Sequence, residues 1–318
     1  MSQDHWIRNS LCVAPAGPQA LYVLTTVYPE SDALNPAGQL LHHVMDDEGL
    51  TESILSTPRP LAAMWRSPAG HLWLAGADGS AWTTAPTPWQ AAAPPTETSG
   101  PLAWTHTQAP PLAKAGHAPN FTAVWGTSDS QVFFATASGS VYRWDGSGWH
   151  EQPTGADASL NKLHGTAAND AYVVGYRGTI AHWDGQAWAG APAPDIDPAT
   201  TIVTGVAALT HDEVYAVTNR GQLLKRSDAG FALLDQAQGA RFSGVAPAGQ
   251  GLVISSATGA WLFDHQGLRQ VKANFSATDV QAVAERLYFI ETEQPHGPAC
   301  IEYFAGRATG SPWQRLVF

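Results

Sequence analysis

Residues 121–153 read FTAVWGTSDSQVFFATASGSVYRWDGSGWHEQP, and this segment indicates the fold. Short apolar runs rich in Val, Phe, Tyr and Trp alternate with turn signals at Gly126–Asp129, Ser138–Gly139 and Asp145–Gly148. Runs of this length, separated by such turns, predict four short antiparallel strands joined by hairpins. Gly suits these turns because it accepts a positive φ without a Cβ clash.

The same unit recurs along the chain. In five consecutive segments a glycine lies seven residues after a strand residue that is expected to face inward; these glycines are Gly79, Gly139, Gly178, Gly221 and Gly259. In the first four segments an aromatic residue follows ten positions later: Trp89, Trp149, Trp188 and Phe231. We expect these aromatics to begin the outer strands and to pack between repeats. Self-similarity at this period is typical of a repeat architecture.

Seven copies cover the chain as a single domain, 1–318. They span about residues 10–55, 61–93, 121–153, 160–190, 202–234, 241–272 and 277–318, with a long loop at 94–120. A four-stranded sheet cannot bury both of its faces alone, whereas a closed ring of such sheets buries them and protects the strand edges. The sequence therefore predicts an all-β, seven-bladed β-propeller. A six-bladed ring with an irregular first or last unit is the alternative.

The chain resembles bacterial seven-bladed propellers of the broad WD40-like and Asp-box-like group, over nearly all of its length. The pairs Trp144-Asp145 and Trp183-Asp184 contain the Trp-Asp dipeptide of that group, although here they open a hairpin turn rather than end a strand. In addition, Ser147 occupies the place of the Asp-box glycine. The resemblance implies the architecture and no particular function.

Composition limits the partners. The formal charge is −11, with a pI near 5.4. An acidic surface repels nucleic acid, whose affinity for proteins comes mostly from Lys and Arg, so we expect no nucleic-acid partner. A basic protein would be attracted. The sequence contains no apolar run long enough to span a membrane and no secretory signal at its start, so we expect a cytoplasmic protein.

The two cysteines, Cys12 and Cys300, lie in the first and last units, which are neighbours in a closed ring. A disulfide between them is one interpretation. Two buried thiols that remain reduced are the other, and the cytoplasmic expectation favours it.

Four loop extensions interrupt the repeat. They are TVYPESDALNP in the first unit, residues 94–120, residues 190–200, and residues 291–299. In a propeller, the second-to-third turns and the blade-to-blade connections lie on one face, and all four extensions belong to these two classes. We therefore expect them to form one partner-binding surface with these candidate residues: Tyr28, Glu30, Asp32, Glu97, Trp104, His106, His117, Asp195, Asp197, Glu291, Glu293 and His296. Aromatic residues mixed with acids suit a basic protein partner.

Trp65, Trp125 and His164 share one position on the predicted innermost strands. They are expected either to pack between blades, which we favour, or to line the central channel and bind a small ligand. No histidine or cysteine spacing matches a zinc site, and no sequence matches a calcium loop. We expect no metal and no cofactor.

Motifs for nucleophilic catalysis and phosphate binding are missing from the sequence. The leading hypothesis is therefore a non-enzymatic, protein-binding propeller. Its sharper form is an acidic immunity or inhibitor protein that occludes a basic bacterial toxin, such as a type VI secretion nuclease, with Trp104 and Tyr28 as anchors. The alternative is a lyase or a carbohydrate- or small-ligand-binding propeller with its site at the central channel; a pure assembly scaffold is a third possibility.

Overall fold

The computed structural model describes residues 6–45, 49–93, 96–249, 251–264, 266–283, 286–291, 300–305 and 313–317, with the backbone alone for residues 300–305 and 317. Over these residues the chain forms seven antiparallel sheets in succession. They are the blades of a seven-bladed β-propeller, as the sequence predicted.

Blades 1 and 2 are five-stranded. The first blade is built on β1 (Trp6–Gly17), β2 (Ala20–Pro29), β3 (Ala37–Val44) and β4 (Thr51–Thr57). The second blade begins with β5 (Leu61–Arg66), β6 (Leu72–Gly76) and β7 (Ser80–Thr83), and three short strands follow: β8 (Gln90–Ala91), β9 (Glu97–Thr98) and β10 (Thr105–Gln108).

Blades 3 to 7 each contain four strands in sequence order. Blades 3 and 4 are β11 (Phe121–Ser128), β12 (Gln131–Thr136), β13 (Ser140–Trp144), β14 (Trp149–Pro153), then β15 (Leu160–Ala167), β16 (Asp170–Gly175), β17 (Ile180–Trp183) and β18 (Trp188–Gly190). Blades 5 and 6 are β19 (Val203–Ala208), β20 (Val214–Thr218), β21 (Gln222–Ser227), β22 (Gly230–Gln236), then β23 (Phe242–Ala248), β24 (Gly251–Ser256), β25 (Gly259–Asp264) and β26 (Gly267–Ala273). Blade 7 is β27 (Ala277–Val283), β28 (Arg286–Glu291), β29 (Cys300–Ala305) and β30 (Gln314–Val317).

The segment 94–120, expected as a long loop, contributes two of these strands. β10 pairs directly with β7 and takes the fourth place in blade 2, while β8 pairs with the outer side of β10. β9 pairs with β4 on the outer edge of blade 1. The repeat pattern pointed to the strand after Trp89, but the later strand β10 occupies that position, and its His106 ring stacks on Trp82 at 4.5 Å.

The recurring glycines lie where the repeat placed them, at the turn between the second and third strands. Gly139 shows why: its φ is +88°, and a Cβ there would collide with the carbonyl oxygen of Ala156. The matched aromatics also pack between blades as predicted. Trp188 and Phe231 are buried, and Trp89 stacks on Trp149 at 5.8 Å.

The innermost strands, β1, β5, β11, β15, β19, β23 and β27, surround the central axis. Each contacts the innermost strands of both neighbouring blades, including β1 with β27, so the ring is closed. Side chains near the strand starts join successive blades: Asn161 donates to the Val203 carbonyl and Thr204 donates to the Phe242 carbonyl. Neighbouring inner strands thus begin side by side and run in parallel. The blade-to-blade connections and the second-to-third turns therefore share one face, which we call the loop-rich face.

Blades 1 and 7 meet through side chains. The Val13 N–H donates to Gln281 Oε1 at 2.6 Å, and Leu21 and Val23 pack against Tyr288 and Ile290. Within the described residues, blade 7 takes no strand from the other end of the chain. Apolar packing between the two blades holds the ring closed.

A bulge recurs in every innermost strand. Each strand shifts its register after the first residue of the shared repeat, as between Phe121 and Ala123 or between Leu160 and Lys162. The same shift follows Ser10, Leu61, Val203, Phe242 and Ala277. A bulge re-aims the side chains that follow it, and here those side chains surround the channel.

Candidate functional site

A projection of blade 1 rises above the loop-rich face. β1 begins four residues before the shared bulge position, whereas β11 and β15 begin at it. These residues pair with the end of β2, and β3 extends the same sheet. At about 3.3 Å per residue the projection extends about 13 Å beyond the level at which those inner strands begin. We call residues 6–9 and 26–38 the blade 1 wall.

The wall combines acidic and apolar groups. Glu30 and Asp32 are exposed in a 3₁₀ turn, Leu34 is 91% exposed and Trp6 is 62% exposed. Asn35 donates to both carboxylate oxygens of Asp32, at 3.0 and 2.9 Å, which fixes this turn. The predicted anchor Tyr28 lies at the base of the turn, half-buried, and its hydroxyl accepts a hydrogen bond from Asn9 at 3.4 Å.

Three more predicted residues lie in connections on the loop-rich face. His117 is exposed between blades 2 and 3, and Asp195 and Asp197 are exposed between blades 4 and 5. Both aspartates also hold local structure: Asp195 accepts from the Leu233 N–H at 2.8 Å, and Asp197 accepts from the Ala199 N–H at 3.0 Å. Their charges face solvent, but their carboxylates are engaged.

Other predicted residues lie elsewhere. Trp104 is only 4% exposed and packs in the core between blades 1 and 2, so the structure leaves it no surface for a partner. Glu291 is likewise buried and accepts an ion-pair contact from Arg315 at 3.2 Å. His106 lies within blade 2, and Glu97 is exposed on the outer edge of blade 1. Glu293 and His296 lie outside the described residues.

The central channel encloses a cavity of about 420 Å³ lined by residues of all seven innermost strands. An ion pair crosses it from blade 4 to blade 7: the Lys162 ammonium lies 2.7 Å from Asp279 Oδ2. The Asp279 side chain is 9% exposed, and the Lys162 side chain retains 36% of its surface toward the channel. Burial lowers the pKa of Lys162, but the Asp279 carboxylate outweighs that effect, so the pKa lies above its usual value.

Sequence reasoning singled out neither partner of this ion pair. The two residues are 117 positions apart, and only ring closure brings them together. The available signal was the repeat itself. Two residues after the first repeat position, the other five blades carry Cys12, Ala63, Ala123, Gly205 and Gly244, so a Lys and an Asp at that position are departures from small side chains.

Trp65, Trp125 and His164 pack on the next blade, the interpretation that we favoured, and they also line the cavity. The Trp65 ring lies so close to Gly126 that a Cβ there would approach it to 3.0 Å, and Trp125 covers Gly165 in the same way. His164 Nδ1 accepts from the Ala208 N–H at 3.1 Å, so in the neutral ring Nε2 carries the proton. Burial lowers the pKa of His164 to about 4, and the ring is neutral at pH 7.

Cys12 is a free, buried thiol beside the channel ion pair. Burial raises its pKa to about 12, which makes the thiol unreactive at neutral pH. The side chain of Cys300 lies outside the described residues.

In the part of the chain that the structure describes, no helix has both the length and the apolar character needed to span a bilayer. In the same residues, no group of three or more His, Cys, Asp or Glu side chains is arranged to hold a metal ion.

Known structures share this fold. The chain is similar to the WD40 β-propeller domain of Doa1 (TM-score 0.66, 13% identity, covering 90% of this chain and 92% of that one). It is also similar to a catalytically inactive virginiamycin B lyase from Staphylococcus aureus with quinupristin (0.65, 9% identity, 91% and 95% covered) and to YCF48 bound to D1 peptide (0.55, 13% identity, 81% and 80% covered). No protein-family model and no curated protein matches the chain. At these identities the likeness is one of fold.

Proposed function

We propose that this propeller binds another protein through its loop-rich face. The observation that supports this most is the blade 1 wall, because this projecting sheet exposes Leu34 and Trp6 and lies beyond the Val13–Gln281 contact that joins blades 1 and 7. Exposed apolar residues beside polar ones are typical of a protein interface. YCF48, a propeller of similar fold, is known in a complex with a peptide, which is consistent with this proposal.

The sharper proposal is a cytoplasmic immunity or inhibitor protein for a basic toxin. Glu30 and Asp32 on the wall and Asp195 and Asp197 across the face are exposed acids, and the chain has a formal charge of −11. Complementary charge steers association and raises its rate, most strongly at low ionic strength. A partner seated on this face would have its cationic substrate groove covered by the wall. An inhibitor of this kind should bury about 1,600 Å² in total.

The test is co-purification with the product of the adjacent gene, followed by binding kinetics. Glu30→Lys combined with Asp32→Lys reverses the wall charge without altering Asp195, which supports the edge of blade 5. The association rate constant should fall about ten-fold or more and depend less on salt. The matched control is Asp212→Lys with Glu213→Lys, two exposed acids in the hairpin on the opposite face, and it should change little. Equal effects of both double variants would refute the wall as the interface.

A second proposed function is a small-ligand binder or lyase with its site at the channel, the alternative that the sequence left open. The cavity and its charged lining favour ligand binding. They favour catalysis less, because an efficient general base has a pKa near the working pH and the pKa of His164 is about 4. Turnover of a bound ligand by the purified protein would establish the enzymatic form of this proposal.

A further inference from the structure

We propose that the channel binds a small, net-uncharged ligand rich in hydroxyl groups, the chemistry of a neutral mono- or disaccharide. This inference rests on the second proposed function and names its ligand class. It does not depend on the loop-rich face.

The repeat does not require an ion pair at this position. Five blades close the channel with Cys, Ala or Gly there, and only blades 4 and 7 place a Lys and an Asp. Removing the Asp279 carboxylate and part of the Lys162 side chain from water is costly, and replacing a buried ion pair by apolar residues is often neutral or stabilising. Lys162 and Asp279 are therefore better explained by a ligand than by stability.

The hydrogen-bonding groups of the ion pair match those of adjacent hydroxyl groups. An ammonium has three N–H donors, and one of them is directed to Asp279 Oδ2. The pair thus presents spare donors on Lys162 beside an acceptor on Asp279. A hydroxyl group both donates and accepts, so two adjacent hydroxyls can accept from Lys162 and donate to Asp279 while the ion pair stays intact. A charged ligand would compete for one partner and leave the other without its counter-ion, which is costly in a buried site.

The remaining lining fits the same ligand class. In the described part of the chain, His164 Nε2 has no hydrogen-bond partner, so it can donate to a hydroxyl group of the ligand. Trp65 and Trp125 add apolar surface to the lining of the channel. The volume of about 420 Å³ lies within the range of about 300–1,000 Å³ that is usual for ligand pockets.

The test uses the full chain with a panel of neutral mono- and disaccharides at millimolar concentration, with inorganic phosphate as an anionic probe and glycine as a zwitterionic probe that carries both charges but no hydroxyl group. Thermal shift identifies candidates and calorimetry measures their affinity. We expect at least one sugar to bind and neither charged probe to do so. Lys162→Met combined with Asp279→Leu, an apolar replacement of similar size, should weaken sugar binding at least ten-fold. The control is Arg177→Met with Asp157→Leu, which removes a surface ion pair 2.9 Å long and should leave affinity unchanged.

The proposal is overturned if no sugar binds, if only phosphate or glycine binds, or if the channel double variant binds as well as the wild type. Should that variant fail to fold by circular dichroism, Lys162→Met combined with Asp279→Asn also removes both charges, keeps the shape of the Asp279 side chain and carries the same expectation. A negative result here leaves the partner-binding kinetics of the Glu30 and Asp32 variants untouched, because those residues lie on the wall. Failure of one proposal is thus distinguishable from failure of the other.

Discussion

Trp104 provides a direct test of how the inserted strand β10 is held. Its side chain is 4% exposed and packs with Leu72, Leu74 and Trp82 between blades 1 and 2. Truncating a buried Trp to Ala typically costs about 3–5 kcal/mol, from lost transfer free energy and the cavity left behind. We expect Trp104→Ala to lower the free energy of unfolding by that amount.

The matched variant is Trp104→Phe. The Trp104 indole N–H is buried without a hydrogen-bond partner among the described residues. An unsatisfied buried donor costs about 1–3 kcal/mol, so Phe loses some packing but also removes that penalty. We expect a net change of about 1 kcal/mol or less, of either sign.

Urea unfolding followed by far-ultraviolet circular dichroism measures both variants, with the midpoint as the readout at constant slope. The urea midpoint of Trp104→Phe should lie close to that of the wild type, and the midpoint of Trp104→Ala should lie far below both. A loss below about 1 kcal/mol in Trp104→Ala would refute the packing argument, because it is too small for a core tryptophan. The same result would reinstate Trp104 as a surface residue able to act as the anchor expected from the sequence.

Three further predictions follow from single residues. Burial raises the pKa of Cys12 to about 12, so in a Cys300→Ser background a disulfide reagent at pH 8 should modify the folded protein at least ten-fold more slowly than the urea-unfolded chain. Equal labelling rates would contradict the burial. Because the unfolded thiol ionises near pH 8.5, the free energy of unfolding should also fall as pH rises above about 8.5. Gly139→Ala should destabilise the protein more than Gly155→Ala. Both glycines have a positive φ, which costs an alanine about 1–2 kcal/mol, but only at Gly139 would the added Cβ meet a carbonyl oxygen. Equal unfolding midpoints of the two variants would exclude that clash. Hydrogen bonds from the Ser147 backbone and hydroxyl and from the Gly148 N–H hold the pKa of Asp145 below its usual range. The Asp145 carboxylate therefore stabilises the fold above a pH of about 3.9, and this stabilisation is lost as pH falls. The difference in free energy of unfolding between wild type and Asp145→Ala should become smaller in acid, and a difference independent of pH would contradict this assignment.

Local chemistry was sufficient to predict the repeat. Gly139 occupies a backbone conformation that other residues rarely adopt, and in four copies an aromatic residue at one matched position packs between blades: Trp89, Trp149, Trp188 and Phe231. Both requirements act within one unit of the chain and recur, so they are visible in a single sequence. The number of blades followed from counting them.

Other features depended on contacts that the repeat does not encode. β10 replaced the predicted outer strand of blade 2 because the choice between two nearby segments was decided by packing against Trp82. The blade 1 wall includes residues 6–9, Trp-Ile-Arg-Asn, which precede the shared repeat and therefore match none of its positions. The Lys162–Asp279 pair required the ring to close before its partners could be matched. These are long-range effects that composition and spacing leave undetermined.

The channel site and the blade 1 wall lie at the same end of the ring, so binding at one site should affect binding at the other. Lys162 and Asp279 lie two residues below the starts of their strands, and the blade 1 wall rises from the same end of the ring. A partner seated against the wall would therefore cover the channel mouth nearest the ion pair. Binding free energies at two coupled sites are reciprocal, so a sugar held in the channel should change partner affinity by the same factor by which the partner changes sugar affinity. Covering the channel mouth predicts a factor different from one, whereas a factor of one measured in either direction would place the partner away from the mouth.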